Sequence, residues 1–233
     1  MNVSFYCVNC NNDLRRIKMI QRFSNHNIKV EFVNPVYTTD EILNIEGKEI
    51  NKIAWSQTLN HLGSMKHFLD NTDNEYLIVC EDDILISKNI MTGLSSIIKN
   101  FKELALDVLL LGYLINFKLD KNIPFLNFPI IKDMCEEGNY TYYGFPDDLW
   151  GAQMYLIHRK HCEFLLNKYT IHYALEILNR PFSPDWTLTK DGVRAMIYPM
   201  IGLEEGHIQY ECQTQSNYHR HCFYTNYDKD IFF

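Results

Sequence analysis

Glu81, Asp82 and Asp83 are three consecutive acids that follow directly on the apolar run Tyr76-Leu77-Ile78-Val79-Cys80, and apolar residues resume at Ile84. Adjacent carboxylates repel one another, and a bound cation is the natural relief. Hard oxygen ligands suit Mg²⁺ or Mn²⁺ rather than a thiol-loving metal, and one or two carboxylates plus substrate phosphates commonly hold such an ion. In extended backbone Glu81 and Asp83 share one side and Asp82 takes the other. A solvated acidic turn is the plainer alternative. A second candidate is Asp185, a lone carboxylate on the stiff turn Pro181-Phe182-Ser183-Pro184-Asp185-Trp186. It suits a general base, or else caps a helix over 186–190. Asp147 and Asp148, just ahead of Trp150-Gly151, are the runner-up pair.

The elements that would position these acids can be read from hydrophobic pattern. A continuous apolar run such as 76–80 reads as a buried strand of a parallel sheet, and ligands of open α/β sheets bind outside the carboxyl ends of such strands. Residues 3–8 read as a first strand. Asn12 or Asp13 then caps a helix to about residue 26, with Leu14, Ile17, Ile20 and Phe23 at helical spacing. Arg15 and Arg16 fall in its first turn, where a helix N-terminus beside arginines makes a phosphate site. Residues 28–33 read as a second strand that Asn34-Pro35 stops, so the chain opens as a βαβ unit. A long helix over 49–69 carries the stripe Ile50, Ile53, Ala54, Leu62, Met65 and Phe68, with His61 on the same side. A helix from Ser87 or Asn89 to Glu103 and a buried strand over 107–112 come after the acids.

Residues 113–149 show no regular pattern, and a loop of that length is usually functional or mobile. Its many aromatics are expected to face a substrate. A strand over 151–159, short helices over 160–169 and 171–178, and a last strand over 193–199 complete the pattern. The polar tail holds His207, His219 and His221. This alternation predicts an α/β fold with a mostly parallel central sheet flanked by helices. One domain over 1–233 is expected, with a half over 1–112 and a half over 113–233 that includes the C-terminal tail.

Composition narrows the class. The formal charge of −7 and the lack of a basic patch argue against a general nucleic-acid binder. Fourteen Phe and fifteen Tyr favour a solid core and stacking surfaces. The N-terminus lacks a signal-peptide pattern, and no apolar run reaches membrane-spanning length, so a cytoplasmic protein without a transmembrane segment is expected. Seven scattered cysteines are expected as reduced, mostly buried thiols, the Cys7/Cys10 pair included.

Several stretches, in this order, resemble glycosyltransferase family 25, which includes bacterial lipooligosaccharide and collagen galactosyltransferases. They are Tyr6-Cys7-Val8-Asn9 with Arg15-Arg16, Trp55-Ser56 to Asn60-His61, Ile78-Val79-Cys80-Glu81-Asp82-Asp83, and the Gly151–Arg159 run, then Asp185. The likeness spans residues 3–217. Two positions depart from the family's usual pattern, where Asn60 and His158 each stand in place of Ser. The resemblance implies a GT-A nucleotide-binding sandwich that uses Mn²⁺ or Mg²⁺, a UDP-sugar donor and inverting transfer. The donor sugar is galactose first, with glucose or N-acetylglucosamine as alternatives, and the acceptor is a glycan or glycosylated protein.

By family position Asp83 is the first choice as metal ligand. Glu81 and Asp82 share the ribose and a water on the ion, in either order. Val8 and Asn9 sit by the uracil and ribose, Arg15 or Arg16 neutralises the diphosphate, and His61 joins the donor site. His207 is the preferred C-terminal metal ligand, ahead of His219 and His221. Asp185 is the preferred base, ahead of Asp147 and Asp148, and Trp186 beside it suits stacking on a sugar face. A metal-dependent phosphohydrolase and a non-catalytic sugar- or protein-binding member of the fold are the competing readings.

Overall fold

The computed structural model describes residues 2–123, 125–133, 140–206 and 212–232. The chain opens with β1 (Val3–Val8), α1 (Asp13–Ser24) and β2 (Val30–Glu31), followed by the long helix α2 (Lys52–Asn71) and β3 (Tyr76–Glu81). Then come β4 (Ile84–Ile86), α3 (Ile90–Glu103), β5 (Val108–Gly112), β6 (Ile130–Asp133) and β7 (Thr141–Tyr143). The C-terminal part is β8 (Met154–His158), α4 (Arg159–Lys168), α5 (Ile171–Glu176), α6 (Pro184–Thr187), β9 (Arg194–Tyr198), β10 (Gly202–Glu204) and α7 (Gln213–Asn226).

The eight-stranded main sheet has the order β2-β1-β3-β8-β5-β9-β7-β6, and β4 and β10 form a separate pair. From the strand pairings, β1, β2, β3, β5, β6 and β9 point one way, while β7 and β8 are reversed. Leu62, Met65 and Phe68 of α2, with Cys162 and Leu165 of α4, pack on one face of the sheet. Met19 and Phe23 of α1, with Leu94, Ile97 and Phe101 of α3, pack on the other. The result is an α/β three-layer sandwich with its core on both faces of the sheet. No helix among the described residues is long and apolar enough to cross a membrane.

Strong local signals produce the helix starts. Asn12 accepts from the Arg15 amide at 3.1 Å and Asn51 accepts from the Ala54 amide at 3.1 Å, each satisfying an end donor of its helix. Elsewhere tertiary demands override the pattern. In α1 only Met19 and Phe23 are buried, and Leu14 is 76% exposed. The cause is the placement of Arg15 and Arg22, two turns apart on one face. They pair with Asp82 and Glu205 and fix the helix's rotation. Ile53 is likewise exposed rather than in the α2 stripe. The expected second strand shrinks to two residues at the sheet edge. The long aromatic stretch contains the hairpin β6–β7, and Phe117 stacks on Phe125 at 5.3 Å, so these rings pack on one another. The expected last strand, β9, is followed by β10 and α7.

β10 reaches the site through a close backbone approach. The Ile201 amide donates to the Leu111 carbonyl at 2.8 Å, and a Cβ on Gly112 would lie 2.7 Å from the Gly202 carbonyl oxygen. Only glycine fits at this crossing. Gly112→Ala is expected to cost about 1–3 kcal/mol, read as a lower denaturant midpoint with unchanged slope, and to displace Glu204. An unchanged midpoint would show that the two strands can separate freely.

Candidate active site

Strand register assembles the site. Val8 at the end of β1 pairs with Glu81 at the end of β3, and Cys80 pairs with Met154 at the start of reversed β8. The carboxyl ends of β1 and β3 thus meet the beginning of β8 at one edge of the sheet. Asp82 and Asp83 form the tight turn from β3 into β4. The strand ends at Glu81, so the alternation expected across the three acids does not hold, and all three line one cavity of about 290 Å³. Its walls also include Val8, Asn12, Arg15, Gln57 and His61 on the β1, α1 and α2 side. Trp150, Gln153, Asp185, Glu204, Gln215 and His219 line it too.

Each acid has a distinct setting. Asp82 accepts from Asn9 Nδ2 at 2.6 Å and from Arg15 at 2.9 Å, so Asn9 braces an acid. Asp83 is 3% exposed and lies 3.6 Å from Arg15, with Oδ1 buried and without a hydrogen-bond partner. Burial, and then the Glu204 charge, push its carboxyl up to about 7, against the pull of Arg15. Glu81 is raised well above the carboxylate range by burial and by Asp83, Asp185 and Glu204. The Oε1 atom of Glu81 faces His61 Nε2 at 3.9 Å. His61 is fully buried on α2, with Nδ1 3.0 Å from the Tyr155 hydroxyl, and burial lowers it to about 3, so it is neutral at pH 7. Among the described residues, five carboxylates therefore face the cavity with Arg15 as the only lining arginine or lysine.

Asp185 lines the same cavity. It lies in the first turn of α6, but instead of capping that helix it accepts from the Gly151 and Ala152 amides through Oδ1, at 2.8 and 2.9 Å. Burial raises its pKa and these two hydrogen bonds oppose the rise. The cradle is braced from behind by Lys190, which is buried and donates to the Leu149 carbonyl at 2.5 Å. α2 supports the same segment, since Thr58 donates to the Phe182 carbonyl at 3.2 Å and Trp55 packs edge-on against Phe182.

The remaining candidates divide, with most of them away from the cavity. Arg16 sits over Phe32 at 4.3 Å and does not line the cavity. Asp147 is exposed and paired with Arg194, which lowers its pKa, and Asp148 is exposed too. Trp186 does not line the cavity, whereas Trp150 does. His207 falls outside the described residues. His221 is exposed, but His219 lines the cavity with Nδ1 at 2.7 and 2.9 Å from the Glu204 oxygens. Cys7 is buried, Cys10 is exposed, and both are free thiols.

Glu204, Gln153 and Trp150 were not among the sequence candidates. For Glu204 a signal existed, because the run Met200-Ile201-Gly202-Leu203 ends in two acids just as β3 does. Asn60 and His158, which depart from the family pattern, both do local structural work. Asn60 clamps the amide and carbonyl of Val36, and His158 caps α4 through the Lys160 amide.

The family model for glycosyltransferase family 25, described as LPS biosynthesis protein, matches residues 2–177. The chain belongs to glycosyltransferase family 25. The match covers the β1 and β3 ends, α2 and the cradle of Gly151 and Ala152, and it stops before Asp185, Glu204 and His219. No curated protein sequence matches the chain. Among solved structures it is similar to A197 from STIV, at 14% identity and TM-score 0.45 over 91% of this chain and 100% of that one. It is also similar to a mannose-1-phosphate geranyltransferase from Thermus thermophilus, at 10% identity and TM-score 0.42 over 84% and 74%. A putative glucose-1-phosphate thymidylyltransferase from Bacillus anthracis gives 11% identity and TM-score 0.38 over 96% and 77%. Likeness at this level says nothing of chemistry.

As a glycosyltransferase of this family the chain can be tested for fit to a divalent ion. Asp83 Oδ1 is a buried carboxylate oxygen without a partner, and burial, then neighbouring acid charges, raises the pKa values of Asp83 and Glu81. Among the described residues no group of three or more His, Cys, Asp or Glu forms a ready cage. That donor set fits an ion held by one or two protein oxygens and completed by substrate phosphates.

Proposed function

We propose that this chain is a metal-dependent inverting glycosyltransferase of the GT-A type. It moves a hexose from a UDP-sugar to a hydroxyl of a glycan or glycosylated protein, with galactose as the first choice and glucose or N-acetylglucosamine as alternatives. The observation that carries this reading is the meeting of Asp185 with the Glu81-Asp82-Asp83 turn in one cavity. Breaking a sugar–diphosphate bond leaves charge on the diphosphate, and a single displacement also needs a base for the incoming hydroxyl. The acid turn suits the first need and Asp185 the second.

Asp83, with one of Glu81 and Asp82, would hold Mn²⁺ or Mg²⁺, and that ion when bound would supply Lewis-acid charge to the leaving diphosphate. Arg15 shares the cavity with these acids and neutralises the same oxygens. Val8 offers an apolar edge to the nucleobase, and Asn9 keeps Asp82 in place. Asp185, ionised, takes the proton from the acceptor hydroxyl. That oxygen then bonds to the anomeric carbon as the bond from that carbon to the diphosphate breaks, so UDP leaves and configuration inverts.

Incubation with UDP-galactose, UDP-glucose or UDP-N-acetylglucosamine and Mn²⁺, together with mixed oligosaccharide acceptors, is expected to release UDP and form glycosylated product. Release of inorganic phosphate without sugar transfer would replace this reading with a phosphohydrolase. Binding without turnover would replace it with a non-catalytic binder.

A further inference from the structure

Gln153 stands between the two halves of the site and has no role so far. Its backbone carbonyl accepts from the Glu81 amide at 3.0 Å, which fixes it next to the acid turn on the neighbouring strand. Gly151 and Ala152, just before it, cradle Asp185. Gln153 lines the cavity and is 4% exposed, and its Oε1 is buried without a hydrogen-bond partner. A buried amide oxygen left unpaired costs free energy, so one that borders a cavity calls for a partner, and a bound ligand can supply it.

We propose that the Gln153 carboxamide binds a hydroxyl group of the transferred sugar and so helps to select the donor. This rests on the glycosyltransferase reading above. In a single displacement the transferred ring must lie between the leaving diphosphate and the base, that is, between the Glu81-Asp82-Asp83 turn and Asp185. Gln153 occupies that interval on the sheet edge. A carboxamide carries both an acceptor and donors, and a sugar hydroxyl both gives and takes a hydrogen bond. A site built to bond a hydroxyl rejects a ring that lacks it, because its own polar group is then left buried and unpaired. Trp150 lines the same cavity and adds an apolar face suited to the ring's C–H groups.

The test is calorimetric titration of wild type, Gln153→Ala and Gln153→Met with Mn²⁺ present. The probes are UDP, UDP-galactose and the monodeoxy analogues of UDP-galactose. Met keeps the length of the side chain and guards against a collapse of the Ala variant. UDP affinity is expected to stay within about twofold of wild type, while UDP-galactose weakens roughly tenfold, the loss of one hydrogen bond. One deoxy analogue is expected to bind wild type roughly tenfold more weakly than UDP-galactose and to show no such deficit with the variants. Equal loss of UDP and UDP-galactose affinity in the variants would overturn the inference, as would an unchanged deficit for every deoxy analogue. If wild type binds UDP but no UDP-sugar of the three tested above, the donor reading itself fails first.

Discussion

Replacing Asp185 by Asn is expected to lower kcat by about 10²–10⁴-fold, the usual contribution of a positioned general base, with UDP affinity in Mn²⁺ kept within a few-fold. Asn retains an oxygen for the Gly151 and Ala152 amides, so the cradle survives and the fold is not the target. What disappears is the basicity of the second oxygen. The pH dependence follows from the same geometry. Burial raises the Asp185 pKa, and a base works only when ionised, so activity rises with pH through a value above that of an ordinary aspartate. The Asn variant loses that acid limb. Steady-state rates across pH check both statements. A variant with wild-type kcat would remove Asp185 from the chemistry.

The second large effect is at Asp83. Asp83→Asn is expected to abolish the metal dependence of donor binding, because Oδ1 is the buried, unpaired oxygen of the acid turn. The same substitution has the opposite effect on the metal-free protein. Burial and Glu204 push Asp83 from 3.8 to about 7. A carboxyl whose folded-state pKa is raised contributes stability that is fully present below its unfolded value and is lost as pH rises through its folded value. Metal-free wild type should therefore lose melting temperature between about pH 4 and pH 7, beyond what the variant loses, and Mn²⁺ should restore it at neutral pH. Thermal melts of both proteins across that range, with and without Mn²⁺, read the effect. Retention of Mn²⁺-dependent UDP binding by the variant would contradict the assignment.

Much of this arrangement was legible in local chemistry. The bounds of β1, the Asn12 cap and the acids that end β3 follow from apolar runs and side chains that act on their own backbone. Asp185 stood out because a Pro-stiffened turn isolates it. Other features depend on long-range pairing that no local signal encodes. The reversed strand β8 inserts between β3 and β5, and this places Gln153 beside Glu81. The rotation of α1 answers to Asp82 and Glu205 rather than to its own apolar stripe. Glu204 enters through the crossing of Gly112 and Gly202, where backbones meet without side chains. Within the aromatic stretch Phe117 packs on Phe125, while Tyr142 and Tyr143 are buried in the two cores.

The most direct measurement is a thermal-shift titration of the intact protein with UDP-galactose, UDP-glucose, UDP-N-acetylglucosamine, GDP-mannose and CMP-sialic acid, each with and without Mn²⁺. Binding to the folded state alone adds about 2.7 kcal/mol of stability at a hundredfold excess over Kd, a shift well above noise. The expected result is a rise with a UDP-sugar that requires Mn²⁺ and vanishes in Asp83→Asn. No rise with any nucleotide sugar, or a rise indifferent to both Mn²⁺ and Asp83, would contradict a metal-held donor at the end of β3.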